Sequence, residues 1–357
     1  MKIAVGFISY NQSSFKYLPL FLPSLKEALD NLDVDYHLLV LDNSDNFNGN
    51  KSYISDFLRN NKLEEISSIF SLGFNSGFAK GFNFLIQKAI NLDCDLFMAI
   101  NPDVVLDKNA INLLVEEFRL KSKSEKIGSL GSKILNWDFV NNKKTKIIDS
   151  LGIGMSYNHR FFDIKQGEND DFEFYRKNVF GLSGAAVVYN ISALKEVAFD
   201  NGEYLEFFDE LMFMYKEDVD LSYRLKLAGW GSVLVPESLI YHDRSLSSYS
   251  YSFFKLLFGK KNNFRSLSYL NQMIIFLKFR KIKFSFKVRF FSFIRFIFLL
   301  FYGLIFDFRQ IKMLVKLWPD IEKRRKNLKI RENYVKEIEL LMENAWFYWF
   351  KLLLTYF

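Results

Sequence analysis

The first 100 residues alternate short apolar runs with longer segments in which apolar residues recur at helical spacing. The short runs predict strands, which are KIAVGFIS, YHLLVLD, ISSIFS and DLFMAI at residues 2–9, 36–42, 66–71 and 95–100. The longer segments predict helices, which lie around residues 21–29, 53–60 and 78–90. Parallel strands joined by crossover helices produce this order, so we expect an α/β fold.

Each of these predicted strands is followed by a polar segment. The segments are SYN, LDNSD, SLGFNSGFAKGFN and NPDVVLD, which begin at residues 9, 41, 71 and 101. In an open parallel sheet, ligands bind outside the carboxyl ends of the strands, so we expect the ligand site there. The sequence lacks the glycine patterns of a dinucleotide fold and of a phosphate loop, so a nucleotide would be held in another way.

The pattern is weaker from residue 127 to residue 190, where SKIL and GAAVVYN predict strands. Leu221, Leu225 and Ala228 then follow helical spacing, which predicts a helix with one buried face from about residue 217 to Gly229. The composition changes near residue 248, because no Asp or Glu occurs from residue 251 until Asp307. We expect a boundary between two parts of the protein at this point.

Composition and charge separate the two parts further. Half of the 357 residues are hydrophobic, enough for a substantial core, and a single cysteine favours a reducing compartment. The first apolar run is too short for a signal peptide, so we expect a cytoplasmic protein. Residues 251–357 carry 22 Lys and Arg against 7 Asp and Glu, a net charge of +15, whereas residues 1–250 carry 26 against 34, a net charge of −8.

The basic C-terminal part interleaves its cations with Phe, Leu and Ile, so we expect it to bind an anionic membrane surface and not nucleic acid. Its most apolar window, residues 290–306, is interrupted by Arg295. The 11 uncharged residues that follow are fewer than the roughly 20 of a spanning helix. We therefore expect amphipathic helices lying in the bilayer interface. A helical packing or homo-oligomerisation region is the alternative.

Three carboxylates, Glu217, Asp218 and Asp220, fall in the first turn of the predicted helix. Each exposed acid in the first turn of a helix interacts favourably with the helix dipole, by about 0.3–1 kcal/mol. This interaction is a sufficient explanation for Asp220. Glu217 and Asp218 lie within about 60° of the buried face by helical geometry, which is an unusual place for purely solvated charges. A carboxylate at the edge of a pocket can act as a general base.

Three other residues are candidates for a nucleotide and metal site. Asp42 ends a strand, where it could accept hydrogen bonds from a base or ribose, or form a turn. Asp103 could hold Mg²⁺ or Mn²⁺ shared with a diphosphate, or form the turn before a helix that begins near Asp107. His242 could complete the metal site, act as a base, or lie on the surface.

Seven motifs follow one another along the chain, namely ISYN, LDNSD, GFNSGFAKGFN, NPDVVL, GLSGAAVVYN, FFDELMFMYKEDVDLSYRLKLAGW and VPESLIYHDRS. Their order and spacing resemble the family 2 glycosyltransferases, and in particular the bacterial rhamnosyltransferase-like branch that builds cell-surface polysaccharides such as O-antigen. The resemblance implies a GT-A fold, a Rossmann-like mixed sheet flanked by helices, over residues 1–248. Residues 1–107 would bind the nucleotide sugar and residues 108–248 the acceptor. Residues 249–357 would form a mainly helical membrane-associating region.

The resemblance also implies roles for individual residues. Asp218 would be the general base and Glu217 its partner in a Glu-Asp pair, while Asp103 and His242 would hold Mg²⁺ or Mn²⁺. The residues that would bind the nucleotide sugar are Ser9, Asn11, Asp42, Asn75, Gly77, Asn83, Asn101 and Asp103. Those that would fix the loop before the base are Phe208, Asp209 and Glu210. Asn101 stands where many relatives carry the first Asp of an Asp-x-Asp motif, so we expect weaker metal binding.

The activity that this resemblance implies is inverting transfer of a sugar, with rhamnose from dTDP-rhamnose as the preferred donor. The acceptor would be a lipid-linked glycan or an oligosaccharide, and the protein would lie on the inner face of the cell membrane. A UDP-hexose donor is the alternative. A sugar nucleotidyltransferase would also use an α/β sheet and a metal, but its glycine-rich loop with a basic residue is missing after the first strand. The acids and the histidine of the motifs argue against an inactive scaffold.

Overall fold

The structure, a computed structural model, describes residues 1–45, 47, 49–171, 173–244 and 263–343. The boundary expected near residue 248 lies outside these residues. The helices are α1 (Asn11–Phe15), α2 (Leu18–Asp30), α3 (Gly49–Asn60), α4 (Gly77–Asn91), α5 (Ala110–Lys121), α6 (Ile191–Val197), α7 (Glu217–Leu227), α8 (Asn263–Phe279), α9 (Phe286–Phe306), α10 (Phe308–Lys326) and α11 (Glu332–Leu340).

The strands of the first half are β1 (Lys2–Ser9), β2 (Asp35–Asp42), β3 (Ser67–Ser71), β4 (Leu96–Ile100), β5 (Val104–Leu106), β6 (Ile127–Asp138) and β7 (Lys143–Ser150). Those of the second half are β8 (Ile153–Ser156), β9 (Phe161–Asp163), β10 (Lys177–Val179), β11 (Ala186–Asn190), β12 (Phe199–Asp200), β13 (Leu205–Glu206), β14 (Gly231–His242) and β15 (Met342–Glu343).

One mixed sheet organises the protein, in the order β10-β14-β6-β11-β4-β1-β2-β3, with β5 paired to β14 and β7 to β6. Strands β4, β1, β2 and β3 are parallel, which confirms the four strands predicted from the first 100 residues. Strand β11 runs antiparallel between β4 and β6, and β6 and β14 are parallel to each other. Two smaller sheets, β12-β13 and β15-β8-β9, lie outside the main one.

Helices cover both faces of the main sheet. Apolar residues of α2, α3 and α5, such as Phe21, Ile54 and Leu114, pack against one face. Residues of α4, α6 and α7, such as Phe82 and Leu225, pack against the other. The amphipathic pattern predicted α2, α3, α4 and α7, which bury apolar residues on the sheet, whereas α5 and α6 were not predicted from it.

Helix α7 differs from its prediction, because it is buried on both sides. Leu221 and Leu225 face the sheet as expected. The opposite side, with Val219, Tyr223 and Leu227, joins a third apolar cluster formed with the C-terminal helices. Tyr223 stacks on a phenylalanine of α8, with 4.0 Å between ring centroids. The C-terminal helices therefore pack directly on the sheet-bearing part of the protein.

Helix α9 leaves most of its surface uncovered. It is the single helix within the described residues that is long and apolar enough, by length and composition, to cross a membrane, and 11% of its most apolar stretch is buried. At 21 residues it is longer than the window read from the sequence. Its exposed side chains include Phe286, Phe290, Phe293, Phe298, Phe301, Leu304 and Ile305. Length alone therefore does not exclude a membrane span.

The shared packing of α7 and α8 predicts that the C-terminal helices unfold together with the sheet. Replacing the fully buried Ile274 of α8 with alanine should lower the free energy of unfolding by about 2–5 kcal/mol, because it leaves a cavity in the third cluster. Urea denaturation followed by circular dichroism should show one transition. Leu304→Ala, at an exposed position of α9, should have little effect. A separate early transition in Ile274→Ala would contradict joint unfolding.

Candidate active site

The carboxyl ends of β1 and β2 hold Asp42 in place. Ser9 lies opposite Asp42 in the strand register, and its hydroxyl group donates to Asp42 Oδ1 over 3.1 Å. The hydroxyl group of Ser44 donates to the same oxygen over 2.7 Å, and the Ser44 backbone N–H lies 3.3 Å away from it. The turn predicted as an alternative is therefore present, and it fixes a buried carboxylate at the strand edge.

Two buried amide oxygens near this carboxylate lack a hydrogen-bond partner among the described residues. They are Oδ1 of Asn11 and Oδ1 of Asn50. The Asn50 amide donates to the Asn11 carbonyl group over 3.0 Å and to the Ser44 hydroxyl group over 3.2 Å, so the two asparagines are neighbours. Buried acceptors without donors are rare in proteins, and ligand binding is one explanation. Asn50, the second residue of α3, does not follow a predicted strand and was not predicted as a site residue.

The entry to α4 is built by a pair of asparagines. Asn43 donates to Asn75 Oδ1 over 3.1 Å and accepts from the Ser76 backbone over 2.9 Å. Gly77 has φ +77, and a Cβ atom there would lie 2.6 Å from the ring and the carbonyl oxygen of Phe213. A side chain at residue 77 would therefore displace the loop that leads to α7.

Asn83 has a different environment from the one expected for a donor-binding residue. Its Oδ1 accepts from the backbone N–H groups of Phe207 and Phe208, at 3.1 and 2.8 Å. Its Nδ2 donates to the Phe208 carbonyl group and to Glu210, both over 2.9 Å. All its polar atoms are thus bonded to residues 207–210, so Asn83 fixes this loop. A direct contact with a donor stays a prediction.

On the other side of β4, the register of β14 and β5 places His242 opposite Val104 and next to Asp103. The distance between His242 Nε2 and Asp103 Oδ2 is 3.4 Å, and Nδ1 lies 2.8 Å from the buried Asp149. Burial opposes charge on the ring, but the charge of Asp103 and hydrogen bonds to both carboxylates outweigh it and raise the pKa of His242 to about 10.

This pair has the donor set that a hard divalent cation accepts, with oxygen and imidazole nitrogen, once the cation displaces the proton on His242 Nε2. Asp103 Oδ1 is buried and lacks a hydrogen-bond partner among the described residues, which leaves it available as a ligand. His242 keeps Nε2 toward the carboxylate while its other nitrogen is oriented by Asp149, the arrangement usual for a metal-binding histidine. The described part of the chain has no group of three such ligands, so a cation here would also need ligand oxygens from a substrate or water.

Ion pairs continue from this site toward α7. Arg244 contacts Asp149 over 2.7 Å and Asp163 of β9 over 2.5 Å. The negative charge of Asp163 in turn acts on Asp218. Asp149, Asp163 and Arg244 were not singled out from the sequence. The first two lie in the weakly patterned segment 127–190, and Arg244 was quoted only as part of a motif.

Asp218 is half-buried at the start of α7. Its Oδ2 accepts from the Gly184 backbone over 2.9 Å, and its Oδ1 accepts from the Val219 backbone over 2.7 Å. Burial raises the pKa of Asp218, although the two N–H groups lower it in part. A Cβ atom on Gly184 would lie 3.3 Å from the carboxylate, so this glycine permits the close approach.

Glu217 lies beside Asp218 and is more deeply buried. Burial and the charge of Asp218 raise the pKa of Glu217 well above its usual range. Its Oε2 is buried and lacks a hydrogen-bond partner among the described residues. Two carboxyl groups that are coupled in this way do not both ionise easily, so one of them keeps its proton into a higher pH range.

The backbone before this pair is held in an uncommon conformation. Tyr215 and Lys216 have φ values of 72 and 67, in the left-handed region that few residues other than glycine adopt. Asn271 of α8 donates to the carbonyl groups of Met214 and Tyr215, over 2.9 and 2.7 Å. Strain of this kind persists only where surrounding structure fixes it, and here a C-terminal helix does so.

Asp220 is not the solvated N-terminal acid that the sequence suggested. It is fully buried, where Arg224 Nε lies 2.8 Å from Oδ2 and the Lys278 ammonium group of α8 contacts Oδ1. Lys278 also contacts the buried Asp209, and Arg324 Nε of α10 lies 2.7 Å from that carboxylate. Burial opposes the charge of Asp209, but the two cations lower its pKa to about 2.

We call these five residues the buried charge network, which consists of Asp209, Asp220, Arg224, Lys278 and Arg324. The two acids belong to α7 and the loop before it, whereas two of the three cations belong to the C-terminal helices. An acid that is buried in this way needs a cation to offset its desolvation. The network therefore joins the helix of Asp218 to the C-terminal part of the protein.

Comparisons with known proteins identify the class first. The crystal structure of GalNAc-T7 with UDP, GalNAc and Mn²⁺ is similar to this protein with a TM-score of 0.54 at 13% sequence identity, over 77% of this chain and 47% of that one. The mixed sheet flanked by helices is thus the GT-A fold, as the motifs implied.

The family follows from the sequence match. A family model described as "Glycosyltransferase like family 2" matches residues 72–262, more than half of the 357 residues, so the chain belongs to this family. N-acetylglucosaminyl-diphospho-decaprenol L-rhamnosyltransferase from two strains of Mycobacterium tuberculosis is 42% identical over 67 residues, which cover 19% of this chain and 19% of the relative. The chain therefore aligns with about a fifth of the curated relatives that it matches.

The buried charge network predicts a large loss of stability when its central cation is removed. Lys278→Met should lower the free energy of unfolding by about 3–5 kcal/mol, because Asp209 and Asp220 remain buried without their shared partner. Urea denaturation measures this change. Lys281→Met, at an exposed position three residues later, is the matched control and should stay within about 0.5 kcal/mol of the wild type. Equal stability of both variants would contradict the role of the network.

Proposed function

We propose that the protein is an inverting glycosyltransferase that moves a sugar from a nucleotide-sugar donor to a hydroxyl group of an acceptor. The observation that carries the proposal is the position of Asp218 against Gly184, whose neighbour Ala185 accepts a hydrogen bond from the Asn101 backbone over 2.9 Å. A half-buried carboxylate with a raised pKa thus lies beside the strand edge with the candidate donor and metal groups. Direct displacement needs a base on one side and charge neutralisation on the other.

The nucleoside of the donor binds at the ends of β1 and β2. Asp42 and the unpartnered amide oxygens of Asn11 and Asn50 are all acceptors, and they suit the N–H groups of a base and the hydroxyl groups of a ribose. Asn75 and Gly77 shape the adjoining wall, where the close contact with Phe213 fixes the start of α4. Ser9 orients Asp42 and does not need to reach the donor itself.

Asp103 and His242 would hold Mg²⁺ or Mn²⁺ near the diphosphate of the donor. When bound, such a cation neutralises the negative charge that develops on the departing nucleoside diphosphate. Asp149 orients His242 toward this position through Nδ1. Asn101 lies two residues before Asp103 and contributes no charge. The two protein ligands therefore carry one negative charge, which fits weaker metal binding than an Asp-x-Asp motif would give.

Asp218 accepts the proton of the acceptor hydroxyl group as that group attacks. The backbone N–H groups of Gly184 and Val219 hold both carboxylate oxygens, so the base is oriented before the acceptor binds. Its raised pKa makes it a stronger base than an exposed aspartate. Glu217 keeps its proton to a higher pH than an exposed glutamate does, so it does not place a second negative charge next to Asp218.

For the substrates, we propose rhamnose from dTDP-rhamnose as the donor group and a lipid-linked glycan as the acceptor. The support is the 67-residue similarity to an enzyme whose name specifies rhamnosyl transfer to a diphospho-decaprenol-linked sugar. A UDP-hexose is the alternative donor. The uncovered apolar side of α9 and the basic charge of the C-terminal part support attachment to the cytoplasmic face of a membrane.

Two substitutions should separate the base from the donor site. Asp218→Asn should abolish transfer and leave the Kd of the nucleotide sugar nearly unchanged, because the base acts on the acceptor. Asp103→Ala should instead weaken nucleotide binding in the presence of Mn²⁺. Titration calorimetry and a transfer assay measure the two effects. Asp320→Asn, at an exposed position, is the control. An active Asp218→Asn enzyme would remove the base from the proposal.

The exposed side of α9 predicts membrane binding that does not depend on folding stability. Phe298→Ser combined with Phe301→Ser should weaken binding to phosphatidylglycerol vesicles by at least about tenfold, because two exposed rings no longer enter the bilayer. The melting temperature should change little. Val140→Ser, at an exposed apolar position on the sheet-bearing part, should bind vesicles like the wild type. Unchanged vesicle flotation of the double variant would contradict attachment through α9.

A further inference from the structure

We propose that Lys216, Arg160 and Arg295 form a binding site for the phosphate groups of the acceptor, next to Asp218. The inference rests on the proposed function, since it names a subsite of the acceptor of that reaction. It assigns a role to Arg295, a charged residue in the middle of an apolar helix, beyond its contacts with the Asn158 carbonyl group and the Phe276 ring.

The three cations come from three separate parts of the fold and meet on one side of α7. Lys216 immediately precedes the Glu217–Asp218 pair, and its ammonium group lies 6.0 Å from the centre of the Phe161 ring. Arg160 precedes Phe161, and its backbone N–H donates to the side chain of Asn158 over 3.3 Å. Arg295 donates to the Asn158 carbonyl group over 3.4 Å. The turn before β9 and the first residue of that strand thus contact Arg295 and Lys216, and the charges of Arg295 and Arg160 both act on Lys216.

Burial and neighbouring positive charge destabilise the charged forms of Lys216 and Arg295. Burial and the charge of Arg295 lower the pKa of Lys216 to about 8, and Asp218 and Asp163 offset this in part. Burial and the charge of Arg160 lower the pKa of Arg295 to about 9. Within the described residues, neither Lys216 nor Arg295 forms a salt bridge. Like charges gathered in a partly buried place are stabilised when an anion binds there.

Phosphate is the anion that suits these groups. Guanidinium and ammonium groups bind phosphate oxygens through charge-assisted hydrogen bonds, and two arginines with a lysine can serve a diphosphate. Of the two described carboxylates whose charges act on Lys216, Asp163 also pairs with Arg244, and Asp218 is held by the backbone N–H groups of Gly184 and Val219. The site therefore takes a ligand that brings its own negative charge.

The position of Arg295 indicates that these phosphates belong to the acceptor. It lies on the inner side of α9, while Phe298 and Phe301 of the same helix are exposed on the outer side. An amphiphile whose hydrocarbon chain follows the exposed side would place its diphosphate at the cations and its sugar near Asp218. The donor diphosphate would instead lie at Asp103, which the pairs of Asp149, Arg244 and Asp163 separate from Lys216.

Binding of farnesyl diphosphate to the full-length protein in EDTA tests the proposal without requiring turnover. The wild type should bind it, and Arg295→Gln should bind at least about tenfold more weakly, because one charge-assisted contact is lost. Arg295→Lys should retain most of the affinity. Arg289→Gln, an exposed arginine on the same helix, is the matched control and should bind like the wild type. Farnesol, which lacks the phosphates, should bind weakly to every variant.

The same variants separate the other sources of phosphate. The Kd of UDP in the presence of Mn²⁺ should be equal in the wild type and in Arg295→Gln, and an equal loss for UDP would assign the cations to the donor. A loss confined to phosphatidylglycerol vesicles would assign them to lipid headgroups. Either result, or the absence of farnesyl diphosphate binding in the wild type, would overturn the proposal. These experiments measure binding and not sugar transfer. A negative result would therefore reject the phosphate site without bearing on the role of Asp218 as the base.

The melting temperature distinguishes a ligand-binding arginine from a structural one. Without ligand, Arg295→Gln should melt at the same temperature as the wild type or higher, because a buried cation near two others has been removed. A structural role predicts a lower melting temperature for Arg295→Gln and normal binding of farnesyl diphosphate by the folded variant. That combination would contradict the proposal.

Discussion

The pairing of Lys278 with Asp209 and Asp220 is the constraint on which the site depends. Two carboxylates in the interior of α7 and its preceding loop would be unstable alone, and the ammonium group that offsets them comes from a C-terminal helix. Asn271, on the same helix, fixes the left-handed backbone in front of Glu217 and Asp218. The basic C-terminal part thus supports the loop and the helix that carry the candidate base.

The proposed donor and acceptor sides of the site share one row of charges. Asp103, His242, Asp149, Arg244 and Asp163 follow one another in contact from the end of β4 toward α7. Each buried side chain in this row has an oppositely charged neighbour, so the row does not need water to offset its charges. In the proposed function, this row would connect the donor side with the candidate base and so favour direct displacement.

The sequence predicted the parts of this arrangement that depend on local pattern. Strands β1 to β4 alternate with helices, and parallel strands bring their carboxyl ends together, so Ser9, Asp42 and Asp103 could be placed at one edge. Asp220 was misjudged because its partner Lys278 lies in a distant helix that was read as a membrane surface. Asp149 and Asp163 were missed for the same reason: their significance lies in pairing across β7, β9 and β14, which spacing along the chain does not reveal.

The claim that this edge holds a nucleotide sugar can be tested directly by a thermal-shift screen of the full-length protein against nucleotide sugars, with Mn²⁺ or EDTA. A ligand present at about 100 times its Kd stabilises the folded state by about 2.7 kcal/mol, which is a measurable rise in melting temperature. We expect a nucleoside diphosphate sugar, dTDP-rhamnose first among them, to give such a rise, and we expect the rise to be larger with Mn²⁺. A screen in which neither nucleotide sugars nor nucleoside diphosphates change the melting temperature would contradict it.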